Sequence, residues 1–383
     1  MKKPHVLVIY DYFDPAVLAG GPIVSCSNLV KFLADRIDFF IFTSSFDLDG
    51  SELNVEKDSW VNYLHIAKIF YGKKYWNVKG YIKALFEVKP DVIYINGIYS
   101  IVAVLIPLIL SRFFCKRSKI IISSRGMLQK NALSVKRTKK NLYLYLFKLL
   151  LPLDKFFWHV TSEQEKIELM SFLPRKSSAN IILLGNVPSI NIRYSQRVKN
   201  KKTLKLLTIA LISPMKNILA VIKSLAALDQ NVIYTLYGTI KDETYWKQCQ
   251  HEISNLPSGI SVRYEGVADR ADISEILIQN DFYIQPSKSE NFSHSIYDAL
   301  MSGMPVITSY NTPWKVQDVG AGWNVEPRNI ADITSALSEA FSLTQLDFDI
   351  MSKKSRQLAE EYLQNENLKD GYTSLFYSNK LTG

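Results

Sequence analysis

Two carboxylates, Glu290 and Asp298, stand eight residues apart in a segment whose pattern predicts a strand, a loop, a helix and a second strand. Asn291 and Ser293 are residue types that cap the start of a helix, and Gly303 is the type that ends one. A helix start presents unpaired N–H groups and a positive dipole end to an anion. Carboxylates that bind hydroxyl groups beside such an anion site could together hold a sugar nucleotide.

Two turns in the second half of the chain could complete that site. Ser213 opens the turn Ser-Pro-Met-Lys-Asn, in which Lys216 precedes a predicted helix. A lysine and helix N–H groups that converge at one turn form a good phosphate ligand, although an ordinary capping lysine explains the same pattern. Gly238 ends the next predicted strand and would let a nucleotide base lie against the backbone.

Further candidates occur at strand-to-helix turns in the first half. Gly20 and Gly21 follow the first predicted strand and permit close approach of a ligand to the backbone. Arg125 follows another strand, where its guanidinium could meet a phosphate or an acidic acceptor, and Asn96 ends a neighbouring strand. A plain tight turn at the glycines and a structural ion pair at Arg125 remain open alternatives.

Strand-like and helix-like runs alternate along the chain, which predicts an α/β protein with doubly wound parallel sheets. We expect a first domain over 1–197 and a second over 203–363, with a helix at about 364–383 packing back on the first. The polar stretch 191–202 is typical of an interdomain linker. Ligands would bind in a cleft between the domains, beyond the carboxyl ends of the strands.

The charge of the chain is unevenly distributed. The net charge is +10, and the segment between Asp91 and Asp154 holds eleven basic residues and no acidic one. Within the basic region 112–148, a cluster from Lys136 to Lys140 precedes an aromatic and leucine-rich helix, which favours docking on an anionic membrane surface. A buried helix beside a solvated basic loop is the alternative. No motif indicates nucleic acid binding.

Cysteine usage and hydropathy narrow the possible locations of the protein. The three cysteines have no metal-ligand spacing, which is typical of a reducing compartment. The longest apolar run, near 98–110, is too short to span a bilayer. We therefore expect a cytoplasmic protein, peripheral at the inner face of the membrane.

A string of motifs resembles the retaining nucleotide-sugar glycosyltransferases of the family-4 type, which have the GT-B fold of two Rossmann-like domains. The resemblance is carried by the glycine pair, by the Ser-Pro-Met-Lys-Asn turn and by four segments of the carboxylate region: Pro286-Ser, Glu290-Asn-Phe-Ser-His, Asp298-Ala-Leu and Gly303-Met-Pro-Val-Ile. With Thr312-Pro-Trp314, the string is similar to the branch that assembles bacterial surface polysaccharides.

Three positions depart from the family pattern. Asp298 replaces the second glutamate of the motif, Ser293 replaces a glycine, and Leu211 stands where an arginine is usual. Each change affects the part of the site that should bind the nucleotide. Loss of the arginine removes half of the cationic clamp on the leaving diphosphate, which could cost several kcal/mol of transition-state stabilisation.

The resemblance implies transfer of a hexose from a nucleoside diphosphate sugar to a glycan or polyprenyl-diphosphate-linked acceptor, with no cofactor and no metal. Catalysis would involve Glu290, Lys216 and Arg125, with Asn96 and Arg125 on the acceptor side. The donor-binding set that it implies is Gly20, Gly21, Ser213, Lys216, Gly238, Glu290, Asn291, Phe292, Ser293, His294 and Asp298.

Other functions remain open at this stage. A non-catalytic relative that binds a sugar nucleotide in a membrane assembly would tolerate the three departures, and a GT-B epimerase or a glycan phosphorylase would share the fold. The pair Asp47 and Asp49 has the spacing of a metal-binding motif. It lies in a polar loop and is more simply interpreted as a solvated turn.

Overall fold

The computed structural model describes residues 2–73, 77–128, 137–200, 202–365 and 367–377. The chain forms two compact units: residues 1–187 with 366–383, and residues 188–365.

The first unit is built on an eight-stranded sheet in the order β3-β4-β2-β1-β5-β6-β7-β8. Its strands are β1 (His5–Ile9), β2 (Asp38–Ser44), β3 (Trp60–Tyr63), β4 (Ala67–Gly72), β5 (Val92–Asn96), β6 (Lys119–Ser123), β7 (Phe157–Val160) and β8 (Ile181–Leu183). Every pair is parallel except β3 with β4, at one edge. All five residues of β5 are buried, as expected for a parallel sheet covered on both faces.

Helices connect most of these strands. They are α1 (Gly21–Leu33), α2 (Val78–Val88), α3 (Ile106–Phe114), α4 (Arg137–Leu150) and α5 (Glu163–Phe172). A π-helical turn at Ile101–Leu105 leads into α3. The sequence pattern predicts a helix near 99–113, and the observed helical structure begins slightly later.

The second unit contains a six-stranded, fully parallel sheet in the order β11-β10-β9-β12-β13-β14. Its strands are β9 (Thr203–Ile209), β10 (Asn231–Tyr237), β11 (Ile260–Tyr264), β12 (Phe282–Gln285), β13 (Val306–Ser309) and β14 (Gly322–Val325). Its helices are α6 (Ile218–Leu225), α7 (Glu243–Ser254), α8 (Ile273–Ile278), α9 (His294–Met301), α10 (Val316–Val319), α11 (Ile330–Ser342) and α12 (Gln345–Asn365). The predicted class of two α/β domains with parallel sheets is confirmed.

The last helix, α13 (Leu368–Tyr377), belongs to the first unit. The ring of Phe376 lies edge-on to Phe39 of β2, with 5.9 Å between centroids. Lys119 donates a hydrogen bond from Nζ to the carbonyl oxygen of Leu375 at 2.8 Å. The chain therefore leaves its first unit after residue 187 and returns to it after residue 365.

One predicted strand is wrong. The apolar pattern of residues 64–69 predicts a single strand, but residues 64–66 form a turn between β3 and β4. Leu64 has φ 50° and His65 has φ 59°, both in the left-handed region that no strand residue occupies. Apolar composition predicted extended structure here and did not reveal the turn.

The stretch predicted as a linker is tied to the second unit. Arg197 is 5% exposed and donates two hydrogen bonds at 2.8 Å, to the backbone oxygen and to Oγ of Ser302. Lys199 is also buried and donates from Nζ to the carbonyl oxygen of Phe341. Residues 188–197, which the sequence assigned to the first domain, lie with the second unit, where the buried Arg197 side chain donates to backbone carbonyl groups.

Candidate functional site

Glu290 lies at the centre of a polar cluster beyond the carboxyl end of β12. Its Oε1 accepts hydrogen bonds from Nζ of Lys216, from Oγ of Ser287 at 2.9 Å and from Nε2 of Gln285 at 3.0 Å. The side chains of Lys216 and Glu290 are only 20% and 11% exposed. Three donors therefore converge on one oxygen, while the other, Oε2, has no partner among the residues that the structure describes.

Gln285 holds this cluster together, although it belongs to none of the motifs that predict the site. Its side chain is 1% exposed, and Oε1 accepts from the hydroxyl of Tyr283 at 2.7 Å. That contact fixes the orientation of the amide, so Nε2 must face Ser287, Glu290 and Ser293. A polar residue at the end of an otherwise apolar strand, directly before a proline, was the signal available in the sequence.

The turn at residues 213–217 places Lys216 beside Glu290, as predicted. The backbone N–H of Lys216 donates to the carbonyl oxygen of Ser213 at 3.0 Å. Asn217 has φ 63°, and its Nδ2 donates to the carbonyl oxygens of Pro286 at 3.1 Å and Pro327 at 2.6 Å. Asn217 thus links the lysine turn to the carboxylate loop, whereas Ser213 is 9% exposed and shapes the turn through its backbone.

Helix α9 begins next to Glu290. Ser293 occupies the N-cap position, but its hydroxyl makes no capping hydrogen bond to the helix and instead accepts from Gln285 at 3.1 Å. The prediction of Ser293 or Asn291 as a side-chain cap is therefore wrong at Ser293, and Asn291 lies outside the cap position. The first N–H groups of a helix have no partner within it, so the start of α9 still offers donors to an anion.

The side chain of Phe292, which the resemblance assigns to the donor-binding set, is buried in the structure. It is 5% exposed, and its ring packs against Trp314, Tyr297 and Tyr362 with centroids 5.2 to 5.9 Å apart. His294 lies edge-on to the same ring at 5.0 Å. The Phe292 side chain is thus part of the hydrophobic core, and it acts on the site by fixing the loop.

Asp298 lies on α9 in a strongly desolvating environment. Burial raises its pKa to about 7, while a hydrogen bond from Ser189 and the charge of Arg270 lower it. Its Oδ1 is enclosed without a partner among the described residues. The carboxyl group therefore keeps hydrogen-bonding capacity that the described residues do not use, and binding of a ribose hydroxyl by Asp298 stays a prediction.

The structure explains why residue 238 is a glycine. Its φ is 142°, and a Cβ atom there would lie 1.9 Å from the carbonyl oxygen of Ala210. Any side chain would therefore collide with the backbone that leads from β9 toward Leu211, which is itself half-buried. Contact with a nucleotide base at Gly238 stays a prediction.

In the first unit, Arg125 and Asn96 are in direct contact. Arg125 donates from Nε to Oδ1 of Asn96 at 2.6 Å, from one terminal nitrogen to Oδ1 of Asn186 at 2.7 Å, and from the other to the Tyr94 hydroxyl at 3.1 Å. These partners are neutral, so Arg125 forms structural hydrogen bonds here and not the structural ion pair that was the alternative prediction. Each guanidinium nitrogen already donates a hydrogen bond within the protein, which argues against the predicted binding of a phosphate by Arg125.

The loop before Gly20 and Gly21 depends on Asp47. This carboxylate is 4% exposed and accepts from the backbone N–H groups of Val17 at 2.9 Å and Leu18 at 3.2 Å. The interpretation of residues 47–49 as a solvated turn is therefore wrong at Asp47. A Cβ atom at Gly21 would meet nothing within 4 Å, so the start of α1 has open space beside it.

Neither a metal site nor a membrane span is found in the described part of the chain. No group of three or more His, Cys, Asp or Glu residues there is arranged to hold a metal ion. None of the helices within the described ranges is long and apolar enough to cross a membrane. The absence of a metal or cofactor from the reaction stays a prediction.

The region that holds Lys216, Glu290 and Asp298 also carries a family signature. Residues 191–361 match the model of the family Glycosyl transferases group 1. The match agrees with the predicted resemblance and spans the second unit almost completely. No curated protein matches the chain.

Solved glycosyltransferase structures share the fold. Sucrose-phosphate synthase from Thermosynechococcus elongatus superposes with a TM-score of 0.78 at 16% identity over 99% of this chain and 100% of that one. HepE from Anabaena, solved with UDP and glucose, gives 0.72 at 15% identity over 98% and 100%. WaaG, a glycosyltransferase involved in lipopolysaccharide biosynthesis, gives 0.64 at 13% identity over 98% and 100%. The predicted GT-B fold class is confirmed.

The backbone conformation at Ser293 predicts that a glycine variant at this position is more stable than an alanine variant. Its φ of 64° and ψ of 92° are unfavourable for any residue with a Cβ atom. We expect Ser293→Gly to be more stable than Ser293→Ala by about 1 kcal/mol in urea unfolding, because glycine alone relieves the strain. Ser335, exposed within α11, is the matched control, where alanine should be the more stable. An alanine preference at both positions would contradict the strain.

The raised pKa of Asp298 predicts that this residue lowers the free energy of unfolding increasingly as pH rises. The folded protein binds this proton more tightly than the unfolded chain, so the contribution of Asp298 to stability falls as pH rises from about 4 to about 7. Asp298→Asn removes that cost, and the variant should gain on the order of 2 kcal/mol relative to wild type between pH 5 and pH 8. Urea unfolding at both pH values measures this gain, with exposed Asp269→Asn as control. A pH-independent difference would show that Asp298 titrates normally.

Proposed function

We propose that the protein is a retaining glycosyltransferase that transfers a hexose from a nucleoside diphosphate sugar. The observation that carries the proposal is the Lys216–Glu290 pair beside the start of α9, inside the region that matches group 1 glycosyltransferases. HepE, a fold neighbour, was solved with UDP-glucose. Its low identity supports the fold alone, so the assignment of a nucleotide-sugar donor rests on the site and on the family match.

Each side chain has a distinct role in this proposal. Glu290 directs Oε2 toward hydroxyl groups of the donor sugar, because Oε1 is already saturated by three protein donors. Asp298 binds a ribose hydroxyl with its unpartnered Oδ1. Lys216 and the N–H groups at the start of α9 bind the diphosphate.

The departure of the nucleotide is the step that needs stabilisation. Negative charge grows on the diphosphate as the bond to the sugar breaks, and oriented cations and N–H donors lower the energy of that state. Lys216 must then exchange part of its contact with Glu290 for the phosphate oxygens. The hydrogen bonds from Ser287 and Gln285 keep the Glu290 carboxylate in place during this exchange.

Removal of the Lys216 charge should weaken donor binding. We expect Lys216→Met to reduce the affinity for the best ligand in a panel of UDP and GDP sugars about tenfold or more, because a charge-assisted contact is lost. Titration calorimetry measures the affinity, and thermal unfolding verifies the fold of the variant. Lys223→Met is the matched control, since Lys223 pairs with Glu252 at 3.4 Å between two outer helices.

Several results would reject the donor site. Wild-type protein that binds none of the sugar nucleotides would contradict the proposed function, as would equal affinity in Lys216→Met and wild type. Binding followed by neither hydrolysis nor transfer would instead support a non-catalytic relative.

We further propose that the acceptor is a glycan on a polyprenyl diphosphate carrier and that the protein acts peripherally at the cytoplasmic membrane face in surface polysaccharide assembly. The supporting feature is the outward face of α4. Leu142, Tyr145 and Leu149 are 61%, 64% and 68% exposed and follow the spacing of one helical stripe. Lys139 and Lys148 are exposed on the same helix, which gives it the character of an interfacial anchor.

The structure also reduces the number of basic residues in the region 112–148 that could contact a membrane. Lys119 and Arg125 point into hydrogen-bond networks of the first unit and cannot reach a membrane. Lys136 lies outside the described residues. The alternative of a fully buried helix is wrong for α4, because only one of its faces, represented by Leu144 and Phe147, packs into the core.

The apolar stripe predicts lipid binding that depends on more than charge. A Leu142→Gln, Leu149→Gln double variant should lose most of its binding to vesicles with anionic phosphatidylglycerol, because the buried apolar area disappears while all the lysines remain. Vesicle co-sedimentation measures the loss. Leu346→Gln, in a residue that is 70% exposed in the second unit, is the control. Unchanged sedimentation of the double variant would exclude α4 as the anchor.

A further inference from the structure

An unpaired carboxylate follows β1 in the first unit. Asp11 accepts a hydrogen bond from Oγ of Ser100 at 2.9 Å, and it forms no ion pair with any residue that the structure describes. The same Ser100 hydroxyl accepts from the backbone N–H of Ala103 at 2.9 Å, so its position is fixed at both ends. Asp11 is thus held in one orientation and keeps most of its capacity to accept hydrogen bonds, because a carboxylate has about four acceptor positions.

Burial and aromatic neighbours set the character of this position. Burial raises the pKa of Asp11 to about 6, and the hydrogen bond from Ser100 lowers it. Burial raises the pKa of Tyr143, and the negative charge of Asp11 raises it further. The Tyr143 hydroxyl donates to the carbonyl oxygens of Ile98 at 2.7 Å and Ser100 at 3.1 Å. Asp11, Ser100 and Tyr143 therefore form one cluster, with Tyr143 contributed by α4.

Tyr99 adds a second polar group with unused capacity. Its ring lies 5.8 Å from that of Tyr143, and Nζ of Lys140 lies 5.1 Å from its centre. The Tyr99 hydroxyl is enclosed and has no hydrogen-bond partner among the described residues. Burial also raises the pKa of Tyr99 to about 12, so this hydroxyl stays a neutral donor at physiological pH.

The chemistry of the cluster selects the ligand. A fixed carboxylate accepts hydrogen bonds from hydroxyl groups, and aromatic rings offer a flat apolar surface to the C–H faces of a sugar. The Asp11 charge disfavours a phosphate at the same position. A bound metal is disfavoured too, because no group of metal-ligating side chains is found in the described part of the chain.

We propose that Asp11, with Tyr99 and Tyr143, forms the site that binds a hydroxyl-bearing sugar of the acceptor. The proposal rests on the glycosyltransferase function proposed above, and it moves the acceptor site from Asn96 and Arg125, whose side chains bond to each other. Asp11 accepts the hydrogen of an acceptor hydroxyl, and Ser100 keeps the carboxylate in position. Because Tyr143 and Lys140 belong to α4, the acceptor sugar would bind next to the helix that we propose as the membrane anchor.

Sugar binding by this site can be measured without knowledge of the natural acceptor. The probes are the methyl glycosides of glucose, galactose, mannose and N-acetylglucosamine, observed by saturation-transfer NMR on the full chain. We expect at least one of them to bind wild type, and Asp11→Asn to weaken that binding about fivefold or more, as the loss of a charge-assisted hydrogen bond requires. Asp38→Asn, at the opposite end of the sheet, should bind as wild type does.

A second variant tests the same site if Asp11→Asn does not fold. Tyr99→Phe removes only an unpartnered hydroxyl, so its thermal stability should equal or exceed that of wild type while its affinity for the glycoside falls. Wild type that binds none of the four glycosides, or two variants that bind them as wild type does, would overturn the acceptor site. Sugar-nucleotide affinity, measured separately, should be unchanged in both variants, and failure of wild type in that assay would reject the proposed function instead.

Discussion

The ion pair between Lys216 and Glu290 is the interaction on which the candidate donor site depends. Two charges that are mostly removed from water need further hydrogen bonds to offset the loss of hydration. Ser287 and Gln285 supply these bonds on the Glu290 side, and Asn217 fixes the lysine turn against the carboxylate loop. The pair is therefore oriented before any ligand binds. A phosphate that approaches Lys216 replaces one anionic partner with another, which costs little desolvation.

The two parallel sheets were predictable because buried parallel strands are apolar runs bounded by turn residues. The match between predicted and observed strands is close from β5 to β7 and from β9 to β14. The prediction was wrong at residues 64–66, where two residues adopt left-handed backbone angles in a short hairpin. Apolar content does not distinguish a strand from a turn that places apolar side chains at the edge of a sheet. Tertiary pairing with β4 decides the outcome there.

The site was only partly predictable, because sequence pattern shows residue types and not their partners. Glu290 and Lys216 were found because a charged residue at a strand-to-helix turn is visible in the sequence. Gln285 and Asp11 were missed, since neither belongs to a motif. Gln285 gains its role from contacts with the loop that follows its own strand, and Asp11 gains its role from a contact with Ser100, 89 residues away in the chain. Arg125 was selected for its charge, but each of its three guanidinium nitrogens donates a hydrogen bond to a neutral oxygen acceptor within the first unit.

Amide hydrogen exchange with and without the tightest-binding sugar nucleotide of the UDP and GDP panel tests the central claim most directly, because it reports where the donor binds. Residues 213–217 and 287–297 carry the lysine turn, the carboxylate loop and the start of α9. We predict slower exchange in these two segments when that sugar nucleotide is present at saturation, and no such change in the same segments of Lys216→Met. Slower exchange elsewhere, while both segments stay unchanged, would contradict the placement of the donor at Lys216 and Glu290.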